Sequence, residues 1–225
     1  MRAIVRGVRR LLGGLALALL VMAAGPRGAE PTEAISEARL LEAAVGGLSG
    51  LVASFTQTLE SPALPRPQIE SGTLYLLRPG RMRWEYREPR GKLAIAAFGR
   101  TQLYLPEERQ LLIAPLDREG GESGMALLLR DRLDLVAEFE IGWGPEDGRG
   151  GKRMLKLTPR SGSAAYRCLL VGTGPDHLIA SLAVVDALGS TVTYRFSRPR
   201  RVATLDDDLF RFTPPPGVEV QEVGR

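Results

Sequence analysis

Between residues 81 and 87 every second side chain is charged and each one between is large and apolar. Arg81, Arg83, Glu85 and Arg87 alternate with Met82, Trp84 and Tyr86. A period of two puts successive side chains on opposite sides of an extended backbone, whereas a helix would scatter the same residues around its axis. The segment therefore reads as a strand with one buried face and one wet face, the pattern of an antiparallel sheet. Its flanks, Arg78-Pro79-Gly80 and Pro89-Arg90-Gly91, are turn sequences.

Other short runs extend the pattern: residues 72–77, 93–98, 102–105, 110–113, 154–158, 166–171, 179–186 and 191–197. Leu188-Gly189-Ser190 makes a tight turn between the last two, and Val218-Glu219-Val220 closes the chain. Residues 61–67 carry three prolines and read as a loop, as does the polar, Gly-rich stretch 117–124.

Two segments have helical spacing. After Thr32, a candidate N-cap, apolar residues fall at Ile35, Ala38, Leu41, Val45, Leu48 and Leu51, one face of a helix to about residue 51. Residues 125–137 form the second. The sum is about ten short strands with one N-terminal and one or two central helices. So long an antiparallel sheet curls into an incomplete or closed barrel, with the helices against its mouth or concave face.

The N-terminus reads as an export signal. Arg2, Arg6, Arg9 and Arg10 precede an apolar run over residues 11–24, then small residues. The run is short for a bilayer span. Residues 1–29 are expected to be the signal peptide, cut between 23 and 29, and residues 30–225 a single domain. The whole chain carries 30 basic and 26 acidic residues, but five of the basic ones precede Glu30. From Glu30 onward 25 basic face 26 acidic residues, a formal charge of −1. The basic excess belongs to the leader, so nothing points to nucleic acid.

Chemistry is sparse. There is one histidine, His177, expected at the surface, and one cysteine, Cys168, expected buried in a strand. One of each is too few for the usual zinc sites. No nucleotide-binding glycine loop or nucleophile elbow occurs. Asp206-Asp207-Asp208 reads as a solvated turn, since consecutive acids point apart. Neither an enzyme nor a cofactor or metal is expected.

The sequence resembles the LolA family of outer-membrane lipoprotein carriers. The shared positions begin at Phe55-Thr56-Gln57 and are densest at Gly72, Leu74, Leu76, Arg78-Pro79-Gly80-Arg81 and Arg83-Trp84-Glu85-Tyr86. They continue through Phe98-Gly99, Leu103-Tyr104 and Leu155-Lys156-Leu157-Thr158-Pro159 to Leu209-Phe210-Arg211-Phe212 and residues 214–220. The resemblance implies an unclosed antiparallel β-barrel with a helical lid over an apolar cavity, and a monomer. It implies a periplasmic chaperone that takes lipoprotein cargo from an inner-membrane ABC transporter to an outer-membrane acceptor.

Carried onto this chain, the family's latch is Arg78, whose guanidinium would hold lid backbone. Met82, Trp84 and Tyr86, with Leu74, Leu76, Leu103 and Leu105, become candidate lining of the lipid-binding cavity, ordinary core being the competing account. Leu41, Val45 and Leu48 become the underside of the lid helix; Phe210 and Phe212 are assigned to core. The alternatives are a lipid-sensing regulatory module of related fold, a carrier of another amphiphile such as a glycolipid, and a periplasmic hydrolase.

Overall fold

The computed structural model describes residues 29–116, 129–130, 132–147, 152–161 and 166–223. Residues 1–28 of the expected signal peptide (1–29) and the loop expected at 117–124 lie outside them.

The chain opens with α1 (Ala29–Gly46), then β1 (Gly50–Glu60), β2 (Gln68–Leu77), β3 (Arg81–Glu88), β4 (Leu93–Ala97), β5 (Arg100–Leu105) and β6 (Gln110–Pro115). The short helix α2 (Leu135–Glu138) leads into β7 (Phe139–Glu146), β8 (Arg153–Pro159), β9 (Cys168–Thr173), β10 (Ile179–Val185) and β11 (Thr191–Val202). The strand β12 (Glu219–Glu222) ends the fold. All twelve strands form one sheet, in the order β12-β6-β5-β4-β3-β2-β1-β11-β10-β9-β8-β7. β12 and β7 are its edges, so the sheet curls without closing. Every pairing is antiparallel except β12 on β6. No helix among the described residues is long and apolar enough to cross a membrane.

Several expectations are corrected. The first helix ends at Gly46 rather than near Leu51, and residues 50–60 form β1, the central strand. Two consecutive glycines stop the helix, and the helical spacing of Leu48 and Leu51 is a coincidence of two elements burying residues on the same side. Thr32 lies inside α1 rather than capping it; its carbonyl accepts the Ser36 hydroxyl at 2.9 Å. Among the described residues of the central helix expected at 125–137, residues 135–137 lie in the one-turn α2, capped by Asp134, and Leu129 lies in a 3-10 turn. Residues 132–134 are irregular, and 125–128 and 131 lie outside the described residues. Residues 139–146, assigned to no strand from the sequence, are the edge strand β7.

Two apolar layers use the two faces of the sheet. The larger lies on the concave face under α1 and includes Ala38, Leu41, Phe55, Leu74, Leu76 and Trp84. The smaller lies on the convex face, where Leu77, Leu93, Ile95 and Ala97 meet Phe210. Phe210 ends a 3-10 turn (Asp207–Phe210) capped by the Asp206 carboxylate, and Phe212 packs on Tyr104 with ring centroids 4.9 Å apart. This C-terminal segment covers part of the face expected to be wet. Arg81 pairs with Asp207, and Arg83 donates to the Leu209 carbonyl at 2.8 Å. Cys168 is buried with a free thiol.

Candidate functional site

The concave wall is built from alternating residues of adjacent strands. On β3, Met82 and Trp84 are buried at 5% and 6% exposure and Tyr86 is half-buried. On β2, Leu74 pairs with Trp84 and Leu76 with Met82; on β1, Phe55 pairs with Phe196 of β11. The aromatic rings interlock. Phe55 and Trp84 meet edge-to-face at 4.7 Å, Phe55 and Tyr86 at 5.1 Å, and Trp84 lies 5.2 Å from Tyr194 and 6.1 Å from Phe196. Such edge contacts suit ring quadrupoles and add to the area buried.

α1 covers this wall. Its Leu41 and Val45, followed by Leu48 just beyond its end, face inward and are buried. Between helix and sheet lies a cavity of about 20 Å³, lined by Val45, Leu48, Leu51, Leu74, Leu76, Leu178, Ile179 and Phe196. One water needs roughly 10–15 Å³ and a small-molecule site offers roughly 300–1,000 Å³. The expected hollow is therefore present as an apolar slot, shut by its own side chains.

Of the expected lining, Leu74 and Leu76 border this slot, while Met82, Trp84 and Tyr86 continue its wall. Leu103 and Leu105 do not join them: they are half-buried and lie outside the apolar layer under α1. Leu103 shares the concave face through Ala94, but it lies two strands beyond β3 and does not border the slot under Val45 and Leu48. Leu51, Leu178, Ile179 and Phe196 border the slot and were not among the candidate site residues. The alternation Tyr194-Arg195-Phe196 carries the same signal as residues 82–86 and was open to the same reasoning.

Arg78 stands in the β2–β3 turn beside the end of α1. Its guanidinium donates to the carbonyl of Val45 in the last turn of the helix and, at 2.6 Å, to the carbonyl of Arg130. Its backbone N–H donates to the Ser49 carbonyl at 2.8 Å, and Gly80 N–H donates to Leu129 at 3.1 Å. Arg130 pairs with Glu138, and Glu42 on α1 accepts the Leu135 N–H at 2.5 Å. One planar cation thus holds two separate covering segments through their backbones. Arginine suits that task, because its donors are arranged in a rigid fork.

The opposite rim of the concave face is polar. Tyr86 donates to Gln57 at 2.9 Å, Gln57 donates to Glu70 at 2.9 Å, and Lys92 bonds both Glu70 oxygens at 2.7 and 2.8 Å. The Lys92 ammonium also lies 4.4 Å from the Tyr86 ring centroid. Burial, with Tyr194 and Glu70 nearby, pushes the Tyr86 phenol far above its ordinary range; burial and Glu70 push Tyr194 up to about 12. Both phenols stay neutral hydrogen-bonding groups at any physiological pH.

The model of the outer membrane lipoprotein carrier protein family LolA matches residues 46–213. The outer-membrane lipoprotein carrier protein of Methylococcus capsulatus is 35% identical over 174 residues, covering 76% of this chain and 81% of that protein. The protein of the same name from Methylibium petroleiphilum is 31% identical over 208 residues, covering 92% and 97%. An uncharacterized conserved protein from Thermus thermophilus has a similar solved fold, with a TM-score of 0.50 at 14% identity over 84% of this chain and 99% of that one.

Proposed function

The chain belongs to the family of outer membrane lipoprotein carrier proteins, and on that premise we propose that it carries acylated proteins through the periplasm with their acyl chains held beneath α1. The observation that carries this reading is an apolar, partly aromatic wall closed by a helix whose last turn is held through a single arginine, Arg78.

Burying an acyl chain is worth about 0.8 kcal/mol per CH₂, so two or three chains hold a lipoprotein in a bilayer almost irreversibly. A carrier has to offer comparable apolar surface and still let go. A shut slot meets both demands if its cover has two states of similar energy. Closed, the apolar side chains satisfy one another and Arg78 satisfies the backbone of both covering segments. Loaded, hydrocarbon replaces the packing of Val45 and Leu48 on the wall, and Arg78 gives up the carbonyls. Arg78 is the latch; Leu74, Leu76, Met82, Trp84 and Tyr86 are the receiving wall; Leu41, Val45 and Leu48 are the underside of the lid.

The chain performs no covalent step in this scheme. The work of extracting cargo falls to an ATP-hydrolysing transporter in the inner membrane, and release is to an acceptor at the outer membrane. Residues 30–225 act as one monomeric carrier domain once the leader, residues 1–29, has been removed.

The test is extraction. Inner-membrane vesicles holding a labelled lipoprotein and the transporter are incubated with ATP and the purified protein. A soluble one-to-one complex of carrier and lipoprotein is expected. Label that stays with the vesicles, although the transporter hydrolyses ATP, would remove the proposal.

A further inference from the structure

α1 is fastened differently toward its two ends. Near its start, Glu37 turns its carboxylate onto the rim formed by β8, β9 and β10. A single oxygen, Oε1, accepts the Thr173 hydroxyl, lies 3.3 Å from Nδ1 of His177 and 3.6 Å from Nζ of Lys152. Lys152 also donates to the Thr173 hydroxyl at 3.0 Å, which cross-braces the group. Thr173 ends β9, His177 sits in the β9–β10 turn, and Lys152 precedes β8. Around Glu37 the helix is pressed close: Ala34 and Ala38 have no exposed surface at all.

The other end is buried almost as deeply at Leu41 and Val45, and Glu42 accepts the Leu135 N–H there, but its packing and its grip on the sheet differ. The void lies there, beneath Val45 and Leu48. The grip is on main-chain oxygen, from Arg78 on the other half of the sheet. The helix then stops at Gly46-Gly47, and a side chain added at Gly46 would meet nothing within 4 Å. Glu37 and Val45 are eight residues apart, about 12 Å along the axis and close to one stripe of the helix. Releasing the Val45 end leaves Glu37 and its three partners untouched.

We infer that Glu37 is the pivot of the lid: it keeps α1 fastened to Thr173, His177 and Lys152 while the Gly46 end swings away from Arg78 to admit hydrocarbon. The inference rests on the carrier reading above and adds the direction of opening and the residue that holds the hinge.

Two maleimide cross-links test it, in a Cys168→Ala background. One joins Glu37→Cys to Thr173→Cys and pins the pivot end. The other joins Gly46→Cys to Pro79→Cys and pins the swinging end. Uptake of a triacylated lipopeptide should be unchanged by the first link and fall more than tenfold with the second, each compared with its own unlinked protein. A first link that blocks uptake as strongly as the second overturns the pivot. If the parent Cys168→Ala protein itself takes up no lipopeptide, it is the carrier reading that fails, and amide hydrogen exchange of the lipid-free protein then decides the pivot. There Arg78→Leu should speed exchange at residues 43–46 at least tenfold and leave residues 36–39 unchanged. Adding Glu37→Gln should speed both. Equal acceleration of both stretches by Arg78→Leu alone would overturn it.

Discussion

Replacing Arg78 by leucine should loosen the lid without unfolding the protein. Among the described residues, the Arg78 side chain donates to two backbone carbonyls, at Val45 and Arg130. A hydrogen bond from a charged donor is worth roughly 1.5–3 kcal/mol net. The Val45 oxygen keeps a second donor, the Leu48 N–H at 3.1 Å, so the full sum is not lost. A net weakening of the closed state by about 2–4 kcal/mol follows. At about 1.4 kcal/mol per tenfold, that moves the open–closed equilibrium roughly 30- to 700-fold toward open. The loss falls on the closed state alone, so folding stability drops by no more than the small gap to the open state, and the melting temperature should change little. Because the closed state competes with the loaded one, apparent affinity for a lipopeptide should rise and release should slow. The assay is stopped-flow transfer of a fluorescent lipopeptide from the carrier to excess acceptor vesicles. An unchanged release rate in a variant that folds normally would refute the latch argument.

Other residues give independent checks. Trp84 touches Phe55, Tyr194 and Phe196 on the receiving wall. With Trp143→Phe removing the second tryptophan, its emission should shift when lipopeptide binds, and a silent Trp84 would mean the chains lie elsewhere. A Cβ at Gly72 would come within 2.0 Å of the Glu85 carbonyl oxygen and 2.8 Å of the Phe55 ring. Gly72→Ala should therefore cost about 1–3 kcal/mol in urea unfolding, and no loss would show that β2 and β3 separate easily. At Glu37, burial favours the neutral acid, but hydrogen bonds from Thr173 and His177 and the charges of Lys152 and His177 outweigh it and hold the carboxyl below its usual range. A lowered folded pKa contributes stability that is present above the unfolded value and lost as pH falls through the folded one. Glu37→Gln should thus flatten the loss of stability below about pH 4.5, and an identical acid limb would contradict the ionised cluster.

The legible parts of the fold were those where one face of a strand differs sharply from the other. β3 could be read from its alternation alone, and the helical stripe through Leu41 and Val45 from its spacing. β1 was hidden, because Leu48 and Leu51 prolong the helical rhythm and its outward residues, such as Ser54, Thr56 and Thr58, give little contrast with Phe55. β7 was hidden for another reason. Gly142 and Gly144 suggest a loop by composition, yet a Cβ at Gly144 would lie 2.9 Å from the Leu170 side chain. That glycine serves packing within a strand, and local pattern cannot tell the two uses apart. Arg78 was legible only through the family resemblance, since an arginine before a proline reads locally as a solvated turn. The Glu37 cluster was not legible at all: its partners Thr173 and His177 lie 136 and 140 residues away, and a glutamate on a helix ordinarily faces water.

Whether the apolar wall beneath α1 takes up hydrocarbon is tested most directly by partition. A triacylated lipopeptide is mixed with phospholipid vesicles and the purified protein, the vesicles are sedimented, and the supernatant is assayed for peptide and protein. One lipopeptide per chain should remain in solution with the protein, and substituting Leu76→Asp, which sets a charge on the wall, should return it to the pellet. Lipopeptide that sediments wholly with the vesicles at every protein concentration would contradict the account.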